Sequence, residues 1–306
     1  NIATNASGSR TFKYGATRAF VKSLRVVLPS GEILALSSDQ TAINDAFWLE
    51  TENGRNIEFN RPQLQMPRVK HAAGYFSSSQ MSAADLFIGS EGTLGVVSSA
   101  ELQLAPAPEA VFGAIAFFDK KEKLFEFVSS IRNKSRYNNQ SDYRRMKGIS
   151  ARLIEFFDAK SLELLRPKYP QLPRDAFGAI WIEQEYAHEN ESHVADAWLG
   201  EIGQFTPYSS DTWAAFTEQE HERHREFRHE LPLATNEIVS RNGQTKINPD
   251  VAVPDLHIEN LYNFLSEGLR SSGLDHVIFG HIGNSHLHTN IFVRTDEEKA
   301  MAQKFY

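Results

Sequence analysis

Histidine is the side chain best suited to hold a borderline metal or to move a proton near neutrality. Four of the 11 histidines in this 306-residue chain fall within the stretch His276 to His288. That stretch continues as His281-Ile-Gly-Asn-Ser-His286-Leu-His288-Thr-Asn290-Ile-Phe-Val293. If residues 286–293 form a strand, period-two alternation puts His286, His288 and Asn290 on one face, with Leu287, Thr289 and Ile291 on the other. A turn at Gly280 and Gly283 can fold His281 back toward the polar face. Imidazoles gathered this way suit a divalent ion such as Zn²⁺. Strand histidines that merely hydrogen-bond would have the same spacing, and two imidazoles lack a third ligand.

Two other groups of residues can do chemistry. Ala3-Thr-Asn-Ala-Ser-Gly8 and Phe87-Ile-Gly-Ser-Glu-Gly-Thr-Leu-Gly95 are turns of small residues that let backbone amides approach an anion or a flat cofactor. Neither has the spacing of a P-loop or a strand-anchored dinucleotide loop, so ordinary tight turns read the same way. Arg228 and Lys246 precede the histidines, and an arginine fork with a lysine point charge suits a carboxylate. The run from His221 to His229 also reads as a solvated helix face with charge pairs.

These residues need a scaffold, and the composition allows one. Hydrophobic residues are 41% and charged residues 23%, which is globular, and the length suggests roughly two domains. Lys and Arg total 32 against 39 Asp and Glu, a net charge of -7, with no footprint for nucleic acid. The chain has no cysteine, which excludes thiol catalysis, disulfides and Cys-ligated metal. No apolar run is long enough to span a bilayer. The absence of cysteine fits a cytoplasmic protein.

Patterning predicts a hairpin of Phe20–Leu28 and Glu32–Leu36, a helix over Ala42–Glu50 and a strand over Val96–Leu104. Ala105-Pro-Ala-Pro108 marks a domain boundary. Beyond it come a strand at Val111–Phe118 and helices at Lys120–Ile131 and Ser150–Leu165. A strand at Phe177–Gln184 and helices at His188–Gly203 and Asp211–Leu231 follow. The chain then runs extended to Pro254, with a helix at Asp255–Ser271 and strands at His276–Phe279 and His286–Val293. The fold class is α+β, with helices covering one face of a mainly antiparallel sheet. Both ends read as the middle of structure, so the chain is expected to be a fragment lacking both ends.

In order, these pieces resemble the flavin-dependent D-2-hydroxy-acid dehydrogenases of the vanillyl-alcohol-oxidase (PCMH-type FAD-binding) superfamily. Ala3 through Arg10 with Tyr14-Gly15 is similar to "ATNAGG-R…YG", and Val26 through Glu32 to "VVLPDGE". Ala73-Gly-Tyr75 with Asp85 through Gly95 is similar to "AGY…DLFIGSEGTLG". Lys246 through Pro254 resembles "K-DVSVP", and Gly280 through Asn290 resembles "GHIGDGNLHLN".

The resemblance implies residues 1–106 as the later part of an FAD-binding domain and 107–306 as a substrate-binding cap. It implies FAD lined by Asn5, Ala6, Ser7, Gly8, Ser90, Glu91, Gly92 and Thr93. A divalent metal (Zn, Mn or Fe) would be held by His281 and His288, and Asn290 would contact substrate. Arg228, with Arg225 as its rival, and Lys246 would hold the substrate carboxylate. Asn284-Ser-His286 departs from the usual Asp-Gly-Asn and makes His286 an extra ligand or base, so the catalytic set is His281, His286 and His288. The family's third metal ligand, a downstream Glu, is not in this chain. The implied reaction is oxidation of a small D-2-hydroxy acid such as D-lactate. Electrons would pass to a quinone, a cytochrome or an electron-transfer flavoprotein. A homodimer, in the cytoplasm or at the inner face of a membrane, is compatible with that. The alternatives are a degenerate flavin-binding subunit, a His-metal hydrolase (which lacks an H-E-x-x-H motif) and an ether-lipid-forming or aryl-alcohol relative.

Overall fold

The computed structural model describes residues 1–72 and 74–305. Ala73, part of one quoted motif, lies outside the described residues. The chain divides into two compact units, Asn1–Ala107 and Pro108–Tyr306.

In the first unit a single turn α1 (Thr11–Tyr14) precedes strands β1 (Val21–Val27) and β2 (Ile33–Ser37). These form the expected hairpin, closed by Gly31 at φ 83. Strands β3 (Ala46–Glu50) and β4 (Asn56–Asn60) make a separate hairpin. A short helix α2 (Ala84–Phe87) then leads through the Gly-rich loop to β5 (Val96–Leu102), which pairs antiparallel with β1. Val26, Leu34 and Leu36 bury against Phe47, Met81 and Phe87. The helix expected over Ala42–Glu50 is not formed. Asn44 and Asp45 take left-handed backbone at φ 50 and 63, which stops a helix. Phe47 and Leu49 then alternate inward around an exposed Trp48, and Phe47 stacks on Phe59 with centroids 5.1 Å apart.

The second unit contains β6 (Ala110–Phe118), α3 (Lys121–Asn138), β7 (Ala151–Asp158), α4 (Ala159–Leu165) and β8 (Gly178–Tyr186). It continues through α5 (Glu191–Phe205), β9 (Trp213–Ala215), α6 (Glu218–Asn242), β10 (Thr245–Ile247) and β11 (Asp250–Ala252). It ends with α7 (Ile258–Ser271), β12 (Asp275–Gly280), β13 (His286–Val293) and α8 (Asp296–Ala302). The sheet runs β10-β13-β12-β7-β8-β6-β9, with β11 also on β13, and the assigned pairings are antiparallel. Among the described residues no helix is long and apolar enough to cross a membrane.

Helices lie on both faces of this sheet, not one. Phe157 packs on Phe227 of α6, while its neighbour Phe156 packs on Tyr262 of α7 and Phe125 of α3. Adjacent strand residues point to opposite faces, so each face has its own helical cover. Every residue of β7 and β8 is buried as a result. The helix expected over Ser150–Leu165 is therefore half strand. Residues 151–158 form β7, and Asp158 caps α4 by accepting from the Ser161 amide and hydroxyl. The helix expected from Asp211 begins later, at a capping box of Thr217 and Glu220. Residues 213–215 pair instead with β6.

A sheet buried on both faces predicts that Ile115→Val (facing α6) and Ile182→Val (facing the other way) each cost about 1 kcal/mol in urea unfolding. A neutral result at either position would mean that its face is solvated.

Candidate active site

The site is built on β12, β13 and the turn between them. In register, Phe279 faces His288 and Val277 faces Asn290, so the polar side chains share the face covered by α6. Gly280 leaves β12 at φ 135, and a Cβ there would fall 2.9 Å from His288 Cδ2 and 3.0 Å from the His288 amide. Only glycine fits that approach. A short 3₁₀ turn over 282–284 and a left-handed Ser285 (φ 52) return the chain to His286. His281 thereby folds back, with ring centroids 4.8 Å from His288, which is 4.7 Å from His286. One ligand atom from each of His281, His286 and His288 lies within 4.8 Å of the others.

Two carboxylates hold these rings from behind. Glu155 of β7 is fully buried; it accepts from His281 Nδ1 and, at 3.1 Å, from Arg228 Nε. Burial alone would raise the Glu155 pKa, but His281 and then Arg228 outweigh it, and the carboxyl is held at about 2. Asp250 of β11 sits opposite His288 in register. Its Oδ1 accepts from His286 Nε2 and, at 2.7 Å, faces His288 Nδ1. There too burial is outweighed by the imidazole hydrogen bonds, which depress the Asp250 pKa strongly. Each imidazole thus has one nitrogen set against a carboxylate. That is the usual arrangement behind metal-binding histidines. The donor set fits a borderline divalent ion, with Glu155 and Asp250 in supporting positions.

The basic residues divide. Arg228 of α6 reaches the site, with its guanidinium 5.0 Å from the Phe279 ring centroid. Arg225 instead pairs with Glu218 and Glu222 along its own helix. Lys246 pairs in register with Phe292, on the face that carries Asn290 and His288, and its Nζ donates to Asn236 at 2.8 Å. Asn290 is buried. Neither Glu155 nor Asp250 was singled out by the sequence. The apolar run around Glu155 hid a strand, while Asp250 lay in plain view inside the Lys246–Pro254 segment.

In the first unit the two small-residue turns lie against each other. The Gly89 amide donates to the Ile2 carbonyl at 3.0 Å and that of Glu91 to Ala3 at 2.8 Å. Arg18 binds the Asp85 and Ile88 carbonyls, while its own amide donates to the Asn5 side chain at 3.0 Å. Asn5 and Glu91 are left-handed at φ 44 and 52. Ser90 is buried, and Thr93 donates to its carbonyl at 2.6 Å. Gly8 and Gly92 face open space, where a Cβ would meet nothing within 4 Å among the described residues. One residue of each turn, Asn5 and Gly89, lines a cavity of about 290 Å³ together with Arg18 and His71. Two tight turns with open glycine faces beside a cavity fit a flat cofactor; Ala6 and Ser7 lie in the first turn.

A family model described as "FAD linked oxidases, C-terminal domain" matches residues 139–306, and one described as "FAD binding domain" matches residues 1–37. Glycolate oxidase subunit GlcD of Bacillus subtilis (strain 168) is 27% identical over 100% of this chain and 54% of its own length. A D-lactate dehydrogenase of Anaerostipes hadrus is 34% identical over 40% of this chain and 18% of its own. A D-2-hydroxyglutarate dehydrogenase of Xanthomonas citri pv. viticola is 26% identical over 95% and 51%. The solved structure of an alkyldihydroxyacetonephosphate synthase superposes with TM-score 0.58 at 12% identity, covering 99% of this chain and 53% of that one; it shows the fold. The chain spans about half the length of the relatives that it matches end to end.

Glu155→Gln removes one charge from a buried pair and leaves Arg228 uncompensated, so it is expected to cost about 3 kcal/mol in urea unfolding at neutral pH. The depressed Glu155 pKa contributes stability in full above its ordinary value of 4.5, and that contribution is lost as pH falls toward about 2. The variant should accordingly show a flatter acid limb. An unchanged acid limb would contradict the assignment.

Proposed function

The chain belongs to the FAD-linked oxidase family, and on that footing we propose that it works as an FAD-dependent dehydrogenase of a small D-2-hydroxy acid, D-lactate or a close analogue. The observation that carries this reading is the triad of His281, His286 and His288, each ring backed by Glu155 or Asp250.

The three imidazoles would hold a divalent ion, with His286 as the third ligand. Bound there, the ion would supply Lewis acidity that lowers the pKa of the substrate 2-hydroxyl, whose proton would pass to solvent as the Cα–H leaves as hydride. Glu155 and Asp250 keep the ring tautomers and orientations fixed, so the ligand nitrogens need no reorganisation. Glu155 engages Arg228 through Nε, and a guanidinium has further N–H donors with which to take a substrate carboxylate as a fork. Lys246 adds a point charge to the same carboxylate, and Asn290 hydrogen-bonds the substrate. Holding a substrate so that its Cα–H has one orientation can supply ~7–11 kcal/mol of the barrier. The turns at Asn5–Gly8 and Ser90–Thr93 would line FAD, which would supply the acceptor for the Cα hydride.

His288→Ala is expected to lose bound metal, read by elemental analysis of the purified protein, together with turnover; metal retained at wild-type stoichiometry would refute the ligand set. Lys246→Met removes a charge-assisted contact, so KM for D-lactate should rise about tenfold or more with a smaller change in kcat. An unaltered KM would take Lys246 out of the carboxylate site.

A further inference from the structure

The turn that joins the ligand-bearing strands is also gripped by Arg132 and Asp255. Arg132 of α3 is only 3% exposed. Its Nη2 donates at 2.9 Å to the Ile282 carbonyl, 150 residues along the chain. That carbonyl already accepts the Ser285 amide at 3.0 Å. Arg132 Nη1 lies 3.3 Å from Asp255 Oδ1, the same oxygen that accepts the Ser285 hydroxyl at 2.6 Å. Arg136, one turn further along α3, pairs with the other Asp255 oxygen. The Ser285 carbonyl in turn accepts the Val253 amide at 3.0 Å, just beyond the strand that carries Asp250. The residues between His281 and His286 are thus fixed at both ends, through Ile282 and Ser285.

Burying a guanidinium is costly unless its geometry is needed. Burial works against the charge of Arg132, and Asp255 only partly offsets it. Its Nε is buried without a hydrogen-bond partner among the described residues. A surface helix packing on a sheet requires none of this. The fold tolerates that N–H while Arg132 holds both the Ile282 carbonyl and Asp255.

We propose that Arg132, through the Ile282 carbonyl and the Asp255–Ser285 hydrogen bond, is the positioning residue that preorganises His281 against His286 and His288 for metal binding. This rests on the metal reading above. Partners outside the ligand shell commonly govern metal affinity by ~10–100-fold, and here the partner acts on the backbone between ligands.

The test is calorimetric titration of the whole chain with Zn²⁺, using wild type, Arg132→Met, Arg132→Lys, Ser285→Ala and, as a mildly destabilised control three strands away, Ile115→Val. Arg132→Met should bind ~10–100-fold more weakly. Arg132→Lys, which can still reach one acceptor, should recover part of that loss. Ile115→Val should bind like wild type. Binding by Arg132→Met within about twofold of wild type would overturn the proposal. An equal loss in Ile115→Val would overturn it too, because general stability would then account for the effect. If Arg132→Met does not fold, Ser285→Ala and Arg132→Lys carry the test: both weaker supports the clamp, both unchanged overturns it. Wild type that takes up no Zn²⁺ would overturn the metal reading itself and the clamp with it, a failure visible before any variant is compared.

Discussion

Two carboxylates set against three imidazoles are the interaction on which the second unit depends. Glu155 and Asp250 come from different strands on either side of the β12–β13 pair, and each meets the histidines only when the sheet is in register. A carboxylate taken out of water is unstable alone. Glu155 is tolerable because His281 and Arg228 surround it, and they in turn are oriented by it. The same contacts that make the buried charge acceptable give the histidines one tautomer and one direction. Stability and site geometry are therefore one constraint, carried by a few side chains.

The two-faced sheet makes that constraint rigid. Phe156 and Phe157 lock β7 to helices on opposite sides, so Glu155 cannot shift along the strand without breaking both layers. Interiors packed at crystal density transmit such displacements instead of absorbing them. On the α6 side, Phe227 sits beside Arg228, and the apolar contact that docks the helix also delivers the guanidinium. In the first unit backbone does the comparable work: Ile2, Ala3, Gly89 and Glu91 exchange hydrogen bonds between two turns whose small residues permit close approach.

What the sequence revealed was local in origin. Period two over residues 286–293 was enough to put His286, His288 and Asn290 together, and Gly280 was enough to bring His281 back. The hairpin of β1 and β2 was equally plain from Pro29-Ser-Gly31. Glu155 was hidden because Leu153-Ile-Glu-Phe-Phe157 is a short apolar run, which periodicity alone cannot assign to strand or helix. The signal that would have split it is Asp158 with Ser161, a helix cap placed eight residues after Ser150. Likewise Thr217 and Glu220 form a legible capping box that moves the start of α6 away from Asp211. Asp250 is a different case, since its role follows from pairing with a strand some forty residues later, and no local pattern encodes register. The clamp by Arg132 is less legible still, being a contact between residues 150 apart in the chain.

The central claim is that the histidine triad, flavin and a 2-hydroxy acid act together, and anaerobic mixing of the holoprotein with D-lactate tests it most directly. Flavin absorbance would be followed with and without a metal chelator. The account predicts bleaching of the flavin that the chelator suppresses. Bleaching at the same rate after the metal has been removed would contradict it, because hydroxy-acid oxidation would then proceed without the site that His281, His286 and His288 form.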